Sequence, residues 1–163
     1  MTSLRFSEKV LVEKASLTEY LEFAKHLAVQ AGDTALNYFR VQEEEIGLTN
    51  KSLNAFDPVT KADKEIETKL RNLISEHYPK HGIFGEEEGY FEGNGLTWVI
   101  DPIDGTSNFV TGFPFVAVVI GFIFKKQPVF GVVFNPILNE LFSAQKGKGS
   151  FLNGEKISVK KTK

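Results

Sequence analysis

The sequence predicts an α+β fold in which two long helices pack on one face of a mostly antiparallel, about six-stranded sheet. Three observations carry that prediction. Apolar residues recur at helical spacing in two stretches of the first half, at 20–38 and 62–73. The second half breaks into short runs of β-branched and aromatic residues separated by turn residues. The links between the later runs are too short for crossover helices, which favours an antiparallel meander.

The first helix starts at Ser16, which forms a capping box with Glu19. Tyr20, Phe23, Ala24, Leu27, Ala31, Ala35 and Tyr38 then mark one face to about Phe39. A polar stretch, 41–56, leads to the next element, and within it Glu43-Glu44-Glu45 reads as a solvated face. Thr60 with Asp63 makes a second capping-type start, and Ala62, Ile66, Leu70 and Leu73 form a stripe that ends before Pro79. Strands are expected at 82–84, 97–100, 115–124, 129–134, 141–144 and 156–159, with turns at 125–128, Asn135-Pro136 and Asn153-Gly154. The run 115–124 is apolar without alternation, as a strand buried on both faces would be. Two helices cover one face, so the other calls for a layer beyond them: a homodimer partner or a C-terminal half.

Composition narrows the class. The 163 residues suit roughly one domain, and 42% hydrophobic content can supply a core. A formal charge of −2 with a pI near 6.0 gives no general attraction to nucleic acid. Without cysteine there is neither a disulfide framework nor thiolate chemistry, which is compatible with a reducing, cytoplasmic location. No apolar run reaches membrane-spanning length, and the first fifteen residues lack a signal-peptide core. Asn50-Lys51-Ser52 fits a glycosylation acceptor without meaning in that setting. His77 and His81 have metal-like spacing, but Pro79 lies between them, so both are expected at the surface. Gly147-Lys148-Gly149 reads as a turn, since it lacks the strand-to-helix context of a phosphate loop.

The hexapeptide Asp101-Pro102-Ile103-Asp104-Gly105-Thr106 carries the most chemistry. A strand would deliver Asp101 at its carboxyl end and Pro102 would force a turn. Asp104 would then face back toward Asp101, while Gly105-Thr106 opens a new turn with free N–H groups. Gly85-Glu86-Glu87-Glu88 follows the apolar Ile83-Phe84, and Asp57-Pro58-Val59-Thr60-Lys61-Ala62-Asp63 opens the second helix. Acidic groups at the ends of three elements suit a hard divalent cation, because Mg²⁺ takes oxygen ligands and keeps several waters. Phe113 and Phe115 lie close enough in sequence to wall a pocket there. A haloacid-dehalogenase type of site is disfavoured, because its two aspartates are separated by one position, whereas two separate Asp101 from Asp104.

In order and spacing, Asp57-x5-Asp63, Gly85-Glu86-Glu87 and Asp101–Phe109 resemble the motifs of the inositol monophosphatase family, Mg²⁺-dependent and lithium-sensitive phosphomonoesterases. The similarity extends through Gln30-Ala31-Gly32, the stretch 113–118, Lys146-Gly147-Lys148-Gly149 and Asn153-Gly154. Family members continue into a second half with a Trp-Asp motif. Here Trp98 is the only tryptophan and Val99 follows it. The expectation is therefore a single N-terminal α+β domain over 1–163, the first half of the αβαβα sugar-phosphatase sandwich, with the C-terminal domain absent.

The resemblance implies site roles residue by residue. Glu86, Asp101 and the Ile103 carbonyl would hold one Mg²⁺, and Asp101 with Asp104 would hold a second. Gly105 and Thr106 would present N–H groups to phosphate, with Asp104 also on the substrate side. Asp63 and the Thr106 hydroxyl would orient the attacking water, and Glu86 would hold a water on a third, weaker ion. The implied substrate is a small phosphorylated polyol or sugar, inositol monophosphate first. Alternatives are fructose bisphosphate, histidinol phosphate, a phosphoadenosine nucleotide, or a non-catalytic metal-binding subunit.

Overall fold

A computed structural model describes the backbone of residues 6–51 and 58–160, and side chains from residue 17 onward except 43 and 44. Asp57, Ser52 of the acceptor motif and the solvated face expected of Glu43 and Glu44 lie outside that description.

Helix α1 runs Phe6–Leu36, followed by the short α2, Glu43–Ile46. The start expected at Ser16 is thus internal to α1, which begins ten positions earlier. Strands β1, Thr49–Asn50, and β2, Pro58–Val59, pair antiparallel before α3, Lys61–His77. Then come β3, Gly82–Gly85, β4, Gly89–Phe91, β5, Leu96–Asp104, and the single-turn helix α4, Thr106–Val110. The chain closes with β6, Ala117–Phe124, β7, Gln127–Asn135, β8, Glu140–Gln145, β9, Gly149–Leu152, and β10, Glu155–Ile157.

The larger sheet has the order β10-β9-β8-β7-β6-β5-β3-β4, and only β3 with β5 is parallel. The α+β class and its mostly antiparallel sheet are as predicted, with eight strands among the described residues rather than about six. The additional strands are short edge pieces. Gly89–Phe91 folds back on β3, and Gly149–Leu152 pairs with β8 once Gly147 and Gly149, at φ +79° and +92°, have turned the chain. The expected turn at Asn153-Gly154 is a two-residue hairpin connection with both residues at positive φ.

The core lies between the two helices and one sheet face. Ala24, Leu27, Ala28, Ala31 and Ala35 of α1, with Ala62, Ile66, Leu70 and Ile74 of α3, meet Trp98, Ile100, Val118, Ile120, Phe122, Phe130, Val132 and Phe134. On α3 the fully buried fourth position is Ile74, whereas Leu73 is only partly buried; a strict i, i+4 row faces the sheet. Helix α3 starts as its sequence suggests: the Thr60 hydroxyl accepts the Ala62 N–H, and the Asp63 carboxylate accepts the Thr60 N–H.

Strand β6 corrects one expectation. Its burial alternates, with Val118, Ile120 and Phe122 against the helices and Val119, Gly121 and Ile123 partly open on the far side. Phe115 precedes the strand and is 70% exposed. Apolar character on both faces therefore marks one buried face and one open apolar face, where Val133 and Phe142 also lie exposed. His81 is a second correction. It is 6% exposed, accepts the Trp98 indole N–H, and stacks on Tyr78; His77 is exposed as expected.

Candidate functional site

Three elements bring the acidic residues together at one end of the sheet. Strand β5 does not stop before Pro102 but runs on to Asp104. Its pairing with β6 shifts register between Asp101 and Asp104. Pro102 has no N–H for the ladder, so the strand bulges there instead of turning. The turn comes at Gly105, at φ +87°, where a Cβ would meet the Phe115 carbonyl at 3.0 Å. Asp101 stands opposite Val119, on the face away from the helices.

Pro58, Glu86, Asp101, Ile103, Asp104, Gly105, Thr106 and Ser107 line an open pocket of about 470 Å³. Six of the seven residues singled out from the sequence thus share one cavity. The seventh, Asp63, lies just beneath it. Asp63 is 2% exposed, and its Oδ2 accepts the Thr60 hydroxyl at 2.6 Å and the Thr60 N–H at 2.8 Å. The Thr106 hydroxyl lies 3.3 Å from Oδ1 of Asp63 and 3.0 Å from the Ile103 carbonyl, so one proton serves two acceptors. Asp63 is therefore both the capping-box residue of α3 and a support for Thr106. Burial pushes its carboxyl above the usual range against the hydrogen bonds it receives.

Asp101 is the most perturbed group of the pocket. Burial, then the neighbouring Glu86, Asp104 and Asp63, push its carboxyl up to about 8. Its Oδ1 is buried and has no hydrogen-bond partner among the described residues. A buried, unpaired carboxylate oxygen among like charges is unfavourable unless a cation arrives. The donors are all oxygen, which is the preference of a hard divalent ion. The residues present therefore fit Mg²⁺. Among the described residues the acidic groups are not already closed into a coordination cluster.

No pattern in the sequence marked Lys51 as part of the site. Its ammonium reaches Oε1 of Glu86 at 3.0 Å and Oε1 of Glu87 at 2.7 Å. Burial alone would lower its pKa, but the two carboxylates outweigh that and hold the group above its usual value. It is the one lysine of the polar link 41–56, where nothing in the pattern directs it to the acidic residues. Beside the pocket, Asp104, Gly105, Asn108, Phe115, Val133 and Phe142 help line a second cavity of about 410 Å³ on the open sheet face. Phe115 walls this second cavity rather than the acidic pocket, where it was expected. Phe113, 57% exposed, is not among its lining residues.

Fold and pocket together define a class: an α+β protein whose bulged strand end and following turn form an acidic, oxygen-lined pocket. Residues 16–163 match the model of the inositol monophosphatase family, and the chain belongs to that family. It is 42% identical over 146 residues to inositol monophosphatase 1 of Bos taurus, covering 86% of this chain and 51% of that protein. The fold is similar to that of a Thermotoga maritima IMPase, with a TM-score of 0.77 and 35% identity over 87% of this chain and 54% of the other. It is also similar to an inositol monophosphatase-fructose 1,6 bisphosphatase, with a TM-score of 0.76 and 31% identity over 87% of this chain and 55% of that one. The chain spans about half the length of the relatives it matches. No helix among the described residues is long and apolar enough to cross a membrane.

Proposed function

We propose that this chain is the N-terminal, metal-binding domain of a Mg²⁺-dependent phosphomonoesterase that hydrolyses inositol monophosphate to inositol and phosphate. The observation that carries the reading is the buried Oδ1 of Asp101, unpartnered among the described residues and set among Glu86 and Asp104 in one pocket with Gly105 and Thr106. Glu86, Asp101, the Ile103 carbonyl and Asp104 are the groups that would hold Mg²⁺. When bound, the ion would supply charge stabilisation to the phosphoryl oxygens and lower the pKa of water. Gly105 and Thr106 present N–H groups toward the phosphate. The Thr106 hydroxyl, held by Asp63, orients the water whose oxygen bonds to phosphorus as the ester P–O bond breaks, one water proton ending on the departing alcohol oxygen. Phosphoryl transfer asks the protein chiefly for positioning and charge.

The open apolar face next to the pocket supports a further layer there, a C-terminal half or a second copy in a homodimer, in a cytoplasmic enzyme. A groove that ends in an open face offers few groups to grip a polyol ring, so this chain by itself should turn over poorly. The test is phosphate release from inositol monophosphate with Mg²⁺, with and without Li⁺, by the chain alone and by the chain extended with a family C-terminal half. Mg²⁺-dependent, Li⁺-sensitive release by the extended form supports the reading, and none from either form overturns it. Fructose bisphosphate belongs in the same assay, since a similar structure is an inositol monophosphatase-fructose 1,6 bisphosphatase.

A further inference from the structure

We infer that Glu67, on the buried side of α3, is the positioning residue that selects which of three consecutive glutamates enters the acidic pocket. The inference rests on the metal reading of that pocket. Gly85-Glu86-Glu87-Glu88-Gly89 offers three equivalent carboxylates, and local chain preference does not rank them. The structure does. Glu67 is 0% exposed, and its Oε2 accepts the Glu87 N–H at 2.8 Å while Oε1 accepts the Glu88 N–H at 2.9 Å. Arg71 Nε donates to the same Oε1 at 2.9 Å, and its Nη2 donates to the Gly89 carbonyl at 2.5 Å. Every partner of the Glu67 side chain is a donor, which is what a carboxylate requires and a neutral amide could not match.

The turn lies directly on this group. A Cβ at Gly85 would overlap the Glu67 carboxylate, so only glycine lets the backbone approach so closely. With two successive amides pinned and the Gly89 carbonyl held, the three carboxylates take different places, although Glu86 and Glu87 share the Lys51 ammonium. Glu86 lines the pocket and faces Asp101. Glu87 pairs with Lys51, and Glu88 accepts the Thr68 hydroxyl at 3.0 Å, with Arg71 Nε 3.5 Å away. A one-residue slip of this turn would put a different carboxylate beside Asp101. Glu67 is not itself part of the pocket lining, so it acts through Glu86.

The test uses Glu67→Gln, which keeps size but sets an NH₂ against one of the two amides. Hydrogen exchange in chelator should quicken at the Glu87 and Glu88 amides while Ile66 and Leu70 in α3 stay protected. Mn²⁺ affinity by calorimetry should fall about ten- to a hundredfold, the usual effect of removing a group that orients a metal ligand. Glu86→Gln should lower affinity as well, and the double variant should bind no more weakly than Glu86→Gln alone. A merely structural role would instead make the two losses multiply. Unchanged Mn²⁺ affinity or unchanged exchange in Glu67→Gln overturns the inference alone, as do multiplying losses. An unmodified protein that binds no Mn²⁺ overturns the metal reading and the inference with it. If Glu67→Gln does not fold, Arg71→Lys, which cannot span Glu67 and the Gly89 carbonyl together, should weaken Mn²⁺ binding in the same direction. Undiminished binding there overturns the inference equally.

Discussion

Trp98 donates its indole N–H to Nδ1 of His81 at 3.1 Å, and both side chains are buried. Nδ1 is the acceptor, so the neutral ring carries its proton on Nε2. Tyr78 stacks on the imidazole, and Tyr20 and Phe122 close around it. Glu19 accepts from the Tyr78 hydroxyl that neighbours this group. Protonating Nδ1 would set two donors against each other, and burial lowers the His81 pKa.

The expected outcome is acid lability. A base whose folded pKa lies below its unfolded value contributes stability that is present above about pH 6.5 and is lost as pH falls through the folded pKa. His81→Phe should be less stable at pH 8 by about 1–3 kcal/mol, because the Trp98 N–H loses its acceptor. It should also lose less stability than the unmodified protein between pH 7 and 5. Urea melts at the three pH values decide the matter, and parallel pH profiles would refute the role of His81.

Gly32 sits in α1 where a Cβ would come 2.6 Å from Cε1 of Phe134 and 3.0 Å from Cβ of Pro136. Alanine would gain about 1 kcal/mol in helix propensity. Overpacking against a ring that is 5% exposed has little room to relax and costs about 1–3 kcal/mol. Gly32→Ala should therefore lower the melting temperature. A rise would mean that α1 and β7 are less closely packed.

Asp101→Asn should have opposite effects with and without metal. In chelator the carboxyl, pushed up to about 8, ionises among Glu86, Asp104 and Asp63 as pH rises, and stability falls through that value. The amide removes this loss, so the variant should melt higher than the unmodified protein at pH 8 without metal. With Mn²⁺ at a hundred times its Kd, the unmodified protein should gain about 2.7 kcal/mol by mass action and the variant little. The same order of melting temperatures in both conditions would count against the site.

The β6–β7 connection places Lys125 and Lys126 at φ +50° and +63°, between the paired Phe124 and Gln127. A left-handed conformation costs an L residue roughly 1–2 kcal/mol. Turns of this kind favour Asn-Gly. Lys125→Asn with Lys126→Gly should raise stability by about 1 kcal/mol in urea melts, without affecting Mn²⁺ binding. Loss of stability would show that the lysine side chains contribute more than the strain they impose.

What could be read in the sequence is what neighbours in the chain decide among themselves. Thr60 and Asp63 cap α3 because they are three residues apart. Asn153-Gly154 turns because those residue types tolerate positive φ. The chemistry of the pocket was visible because Asp101, Asp104, Gly105 and Thr106 lie within six positions. The face of α1 from Ala24 to Ala35 followed from periodicity alone.

Tertiary packing decided the rest. Whether β5 ended at Ile100 or bulged on to Asp104 depended on β6, which pairs across the bulge. His81 is buried because Trp98, seventeen positions later, supplies the donor that its own segment lacks. Only the fold brings Lys51 to Glu86, Glu67 to the amides of Glu87 and Glu88, and Asp63 to Thr106. The open face of β6 looked doubly buried because hydrophobicity records what a strand can bury, not what lies against it. Local propensity acts over a turn or two of chain, whereas burial and charge pairing depend on groups that the chain brings together only once folded.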